Sequence, residues 1–377
     1  MSDKPTDQAL FEYYYAYEFN DIQENYRGFW VTIYMTLVNL TQYIGVLNYI
    51  IAIVGLIANT LHIVILCQKI MRKTSINPFL IGIGVCDLLR TASFVFNVSL
   101  EYYAEIRKMR TPVRCLSPTT YLELLLGNIF FSISTSSQYL SVWFGVTMAI
   151  FRVFVVKYPL KAREKNLSAI GKTIVLVLAP TILPFWYLDY AQTKIRKNFK
   201  WVPPKDCDGF PPNYSQLWYS TELTELSGKA GIVTTKIMFL VEGIFFKIIP
   251  SILLPIATIV LVVELRKLRK SSSRKIDENY KSTQLVSIMT IAFFIATAFH
   301  GVLYIGKYIV FMSAGLSFII EKLSMFFTLL SILNGTSHFL MCYFFSSQYK
   351  RATRELFSCR KNAIPAVTRS SRIQTQI

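Results

Sequence analysis

Acidic residues are scarce in this chain: 22 Asp and Glu face 40 Lys and Arg over 377 residues, a net charge of +18. Histidine is rarer, with three in all, too few for a convincing metal site. No CxxC, HExxH, GxSxG or phosphate-loop pattern occurs. These absences leave no enzyme signature, and no cofactor is expected. A secretory signal is missing too: Asp3, Asp7, Glu12, Glu18, Asp21 and Glu24 precede the first apolar run, which begins near residue 43. No internal repeat is visible, which weighs against transporters built from paired halves.

What the chain has in abundance is apolar surface. It is 53% hydrophobic and 15% aromatic, with a mean hydropathy of +0.40. That is too hydrophobic for a soluble protein of this length, and several membrane helices account for it. Runs near 43–67, 78–100, 121–156, 170–188, 236–265, 284–310 and 322–345 are each long enough to span. The basic residues gather in the short connections between runs, as in cytoplasmic loops, and not on a nucleic-acid face. Lys69, Arg72 and Lys73, then Lys157 to Lys172, then Arg266 to Lys281, then the tail from Lys350 mark the inner side. The acidic N-terminus therefore lies outside and, with seven runs, the C-terminus inside. The chain divides into an outer tail (1–42), a membrane domain (43–346), a short amphipathic helix (347–359) and an inner tail (360–377). Cys359 is a palmitoylation candidate.

Polar residues within the runs need partners in a bilayer. Asn59 and His62 sit in the first run, Asp87 in the second, and Arg152 at the inner end of the third, before Lys157, Pro159 and Leu160. An isolated Asp87 is either neutral or coordinated, and the plain reading is a protonated acid bonded to Asn59. For Arg152 the plain reading is a snorkelling side chain. The fifth run carries Glu242 and Lys247 before Pro250. At helical pitch a spacing of five sets them about 140° apart, so they are not expected to pair. That leaves Glu242 protonated, snorkelling, bonded to Lys307, or waiting for a cation. Of the Asn-x-Ser/Thr sites, Asn39 and Asn213 lie outside and clear of the bilayer, and both are expected to carry glycan.

The segments TSINPFLIGIGVCDLLR, WFGVTMAIFRVFVVKYPL and NGTSHFLMCYFFSSQYKRATRELFSC together resemble the nematode serpentine chemoreceptor class W (Srw). That group is similar to receptors for FMRFamide-like and myosuppressin-like peptides, and the resemblance covers roughly residues 43 to 359. It implies an all-α, rhodopsin-like seven-transmembrane bundle with a short amphipathic eighth helix in the plasma membrane. Its partners would be an extracellular peptide or small-molecule ligand, a heterotrimeric G protein and lipid, with no nucleic acid. Arg152 would be the latch, with Pro159 and Leu160 docking the G protein. Asp87, Asn59, Ser141, Asn334 and His338 match the polar core, including a possible sodium site at Asp87. Ser134, Gln138, Glu242, His300 and Tyr304 would face the ligand, Glu242 receiving a peptide arginine.

The family's outer cysteine on the third helix is absent, Gly127 standing there. Cys115 would replace it and pair with Cys207, because these two alone fall in outer, oxidising loops. Two other motifs depart as well. Phe151 and Val153 flank Arg152, so the resting salt bridge is missing, and His338-Phe339-Leu340-Met341-Cys342 replaces Asn-Pro-x-x-Tyr. An amine receptor would want an acid at Ser134, and an opsin a lysine deeper than Lys322. A neuropeptide receptor is the expected function. A receptor for a small environmental molecule is the alternative, and a transporter or channel the more distant one.

Overall fold

The computed structural model describes residues 7–158, 166–224, 231–271 and 276–358. Pro159, Leu160 and Cys359 lie outside the described residues. The helices are α1 (Asp7–Tyr13), α2 (Glu24–Leu66), α3 (Asn77–Arg110), α4 (Tyr121–Lys157), α5 (Leu167–Leu178), α6 (Leu183–Ala191), α7 (Gly231–Gly243), α8 (Ile249–Ser271), α9 (Ile276–Ile309), α10 (Ala314–Phe345) and α11 (Ser347–Ser358). Seven spans are long and apolar enough to cross a bilayer among the described residues. The bundle they form is the fold expected for such a chain, since hydrocarbon leaves no other partner for backbone N–H and C=O groups.

Local chemistry explains how the spans begin and bend. Thr120 and Glu123 form a reciprocal capping box at the start of α4. The fourth span is α5 and α6 joined by a 3-10 turn, Ala179–Ile182, where Pro180 cannot continue the α-helical ladder. In the fifth span a π turn, Ile244–Ile248, joins α7 to α8. Pro250 follows directly, with no N–H for residue 246 and a ring that crowds that carbonyl. The widened turn relieves both.

Within the stretch expected as a tail (1–42), residues 24–42 belong to α2, a helix of 43 residues and so about 64 Å long. Its outer part is sequestered by aromatic packing. Phe19 and Val31 are fully buried and Tyr34 nearly so, in one cluster with Ile319 of α10. Gly315 lies so close to Phe19 that a Cβ there would overlap the ring. Arg27 holds the turn before α2 by donating from Nη2 to Asn20 O at 3.0 Å and to Ile22 O at 3.1 Å. Its guanidinium also lies 5.1 Å from the Tyr15 ring.

The connection between the fourth and fifth spans contains regular structure. It forms an antiparallel hairpin of β1 (Thr193–Trp201) and β2 (Gln216–Leu223). The alternating TKIRKNFKW segment has strand periodicity, and Arg196 pairs with Glu222 across the ladder at 3.2 Å. The hairpin is fastened to the start of α4 by the Cys115–Cys207 disulfide, with Cα atoms 5.5 Å apart. Arg114 and Asp206 add an ion pair at 2.7 Å, and Gln216 donates to Pro118 O at 2.8 Å.

The disulfide closes a sequence separation of 92 residues, which removes freedom from the unfolded chain. Cys207→Ser is expected to cost about 3–5 kcal/mol and to lower the unfolding temperature of detergent-purified protein. Non-reducing peptide mapping should recover the two cysteine peptides joined, and free thiols at both positions would refute the link.

Candidate functional site

Asp87 lies one helical turn below Arg90 on α3, so their side chains share a face. Both are buried. Ser141 of α4 donates to Asp87 Oδ1 at 3.1 Å. His338 Nδ1 of α10 stands 2.9 Å from Oδ2, an ionic contact when the ring is protonated and not a well-directed hydrogen bond. Arg90 donates to Ser331 of α10 twice, from Nη1 to Oγ at 3.0 Å and from Nη2 to the carbonyl at 2.7 Å. Gln138 of α4 donates to the same Oγ at 3.1 Å. Gly335 is where α10 comes closest. A Cβ there would lie 2.9 Å from Arg90 Nη2 and 3.1 Å from Asp87 Cγ.

This network encloses a cavity of about 60 Å³ bordered by Asp87, Arg90, Ser141, Thr297, Asn334 and His338. The expected polar core is therefore only partly assembled. Ser141 and His338 reach Asp87, whereas Asn59 is buried with neither side-chain amide atom hydrogen-bonded, and Asn334 Oδ1 is likewise without a partner. The plain reading of an acid bonded to Asn59 is set aside. A sodium ion does not fit either. Arg90 already places a fixed positive charge within electrostatic reach of Asp87, and a second cation there would be repelled. The sequence reading missed Arg90, although its i,i+3 spacing from Asp87 was the available signal.

The five expected ligand residues fall into two groups. Ser134 and Gln138 are engaged inside the bundle, Ser134 donating to Arg90 O at 3.5 Å and Gln138 to Ser331. Glu242, His300 and Tyr304 gather near the π turn. Glu242 is not isolated there. The π turn changes the angle between Glu242 and Lys247 from that of a regular helix, and both side chains are buried and within electrostatic reach of each other. Lys247 Nζ lies 4.8 Å from the Tyr304 ring and 5.9 Å from that of Tyr139. His300 meets Tyr304 edge-on at 5.2 Å.

At the inner end, Phe151 occupies the position of the missing acid and packs on Phe79, ring centroids 5.4 Å apart. Arg152 lies within electrostatic reach of Cys342. The divergent segment of α10 thus supplies His338 to Asp87 and Cys342 to the surroundings of Arg152. Below it, α11 is docked by fully buried Tyr349, whose hydroxyl is 2.8 Å from His62 Nδ1.

Seven spans around a charged interior, with a disulfide joining the hairpin to the segment that precedes the third span, define a seven-helix membrane bundle. A family model described as serpentine type 7TM GPCR chemoreceptor Srw matches residues 46–360, and the chain belongs to that family. It is a multi-pass membrane protein. No curated protein matches the chain.

Because Asp87 and Arg90 compensate each other in a medium of low dielectric, removing one strands the other. Arg90→Met alone is expected to cost about 3–5 kcal/mol. Adding Asp87→Asn should recover part of that loss, since no uncompensated charge remains. Thermal unfolding of the two single variants and the double variant measures the coupling, and strict additivity would show that the charges do not interact.

Proposed function

We propose that this chain is a chemosensory G-protein-coupled receptor of the plasma membrane, with its N-terminus outside and its C-terminus in the cytoplasm. The observation that carries this reading is the placement of Arg152 near the C-terminal end of α4, where the span meets a basic connection. Outward movement of α9 would open a basic inner mouth in which Arg152 meets the C-terminal segment of Gα. Leu160, following Pro159, would fill an apolar pocket on the same partner. The orientation is supported by the basic connections at one end of the spans, and by the disulfide and both sequons at the other. Asn213 is exposed in a turn, and Asn39 is exposed on α2. The buried face of α11, with Tyr349 and Ala352 against the bundle, suits a helix lying along the inner leaflet, with Cys359 beyond it for acylation.

A small environmental molecule is favoured over an amidated peptide. The peptide reading, with its likeness to FMRFamide receptors, had Glu242 accepting an arginine, and a buried cation, Lys247, is already within electrostatic reach of that carboxylate.

In membranes of cells expressing the full chain with Gα subunits, Arg152→Ala and Leu160→Asp are expected to abolish G-protein activation, basal or driven by a screen of odorants and amidated peptides. Surface expression should be retained. Full activation in both variants would sink the coupling assignment. Glycosidase treatment of the same cells should shift the wild-type band and not an Asn39→Gln/Asn213→Gln variant. A glycan on Asn166 instead would invert the proposed orientation.

A further inference from the structure

We infer that the cleft between the outer ends of α3 and α4 is the ligand site and takes a small protonated amine, held by the Glu101 carboxylate. This deepens the receptor reading above and rests on it. The cleft measures about 370 Å³, in the range of small-molecule sites. The polar cavity deeper in the bundle, about 60 Å³, is less than half the roughly 150 Å³ that holds a benzene ring. Asn97 and Glu101 of α3 border the cleft, facing Glu123, Gly127 and Asn128 of α4. Both walls continue helix faces already engaged deeper down. Glu101 follows Arg90 by eleven residues and Gly127 precedes Gln138 by eleven, a spacing that returns each to within about 20° of the same direction. A ligand in the cleft would therefore lie about 16 Å outward of the Arg90, Gln138 and Ser331 network, along the same faces.

Glu101 is the group left to act. It forms no hydrogen bond or ion pair among the described residues, whereas the charges around it are engaged. Lys108 pairs with Glu105 and Arg114 with Asp206, each at 2.7 Å. Glu123 spends Oε2 on the cap of α4, accepting from Thr120 N at 2.7 Å and from Thr120 Oγ1 at 2.9 Å. Arg107 also borders the cleft, but it donates from Nη2 to Ser117 O at 2.7 Å and lies 5.5 Å from the Tyr103 ring. Six residues beyond Glu101, it projects about 120° away round the helix. The Asn128 side chain has no hydrogen bond among the described residues. A protonated amine fits this set, donating to Glu101 and to Asn128 Oδ1, with an apolar body along Leu100, Leu124 and Phe131. A carboxylate ligand would meet Glu101 and Glu123 instead. Gly127 keeps the space open: a Cβ there would meet nothing nearer than Asn97 Oδ1 at 3.9 Å, so a larger side chain would fill the cleft without a clash.

The test is thermal unfolding of the purified full chain in detergent. The probes are butylammonium, benzylammonium and tetramethylammonium chlorides, with butanol, benzyl alcohol and sodium benzoate as uncharged and anionic counterparts and sodium chloride at equal ionic strength as reference. The ammonium salts should raise the unfolding temperature above all the others. Glu101→Gln should raise the concentration needed for that effect about 10- to 100-fold. Gly127→Leu should abolish the effect while leaving the unliganded unfolding temperature no lower than that of wild type, since leucine is the better helix former. If Glu101→Gln cannot be recovered folded, Gly127→Leu decides. Alcohols or benzoate that stabilise as much as the ammonium salts overturn the proposal. So does an unchanged response in Glu101→Gln or in Gly127→Leu. Stabilisation through Glu101 by amines that neither raise nor lower G-protein activation would leave the cleft standing and defeat the receptor reading. Activation by an amine that is unaltered in both variants would do the reverse.

Discussion

Charge compensation inside a medium that cannot solvate charge is the constraint on which the rest of this structure depends. Arg90 and Asp87 rise from the same face of α3, and neither can remain buried unless other helices supply what water would. Ser141 and His338 serve the carboxylate, and Ser331 serves the guanidinium. Those partners lie on α4 and α10, so the ionic pair dictates which helices must approach α3 and at what depth. Gly335 permits that approach because any side chain there would press on both charges.

The irregular turns matter as much as the spans. A π turn before Pro250 rotates one part of the fifth span relative to the other, and Glu242 and Lys247 are both buried within electrostatic reach of each other. The same turn sets Phe246 against Tyr139 of α4, with ring centroids 4.2 Å apart. The 3-10 turn at Pro180 is the corresponding device in the fourth span, where the proline leaves the α-helical ladder incomplete.

The outer surface is held by a different set of forces, those available in water. The hairpin is tied to α4 through Cys115–Cys207 and the neighbouring Arg114–Asp206 pair. The N-terminal segment is held by burial of Phe19 against Gly315 and by Arg27 closing the turn before α2. Hydrophobic burial is effective there because solvent is near, whereas packing and ionic contacts carry the burden inside the bilayer.

Seven apolar runs, basic connections and the two cysteines that pair were legible in the sequence, because spanning a bilayer demands length and hydrophobicity whatever the packing. The importance of Asp87, and the position of Arg152 at the end of its run, were legible for the same reason: an ionic group in an apolar run stands out against its neighbours. What tertiary structure decided was who meets whom. Arg90 lay within the second run, and only the approach of α10 shows that Ser331 receives its guanidinium. Lys247 looked remote from Glu242 because sequence spacing assumes a regular helix, and one widened turn changes the angle between them. Residues 24–42 looked like a tail because their apolar stretches are interrupted, and only contact with the outer end of α10 accounts for a continuous helix. Periodicity reports which side chains avoid water, but pairing across helices depends on rotation and depth, which no single run encodes.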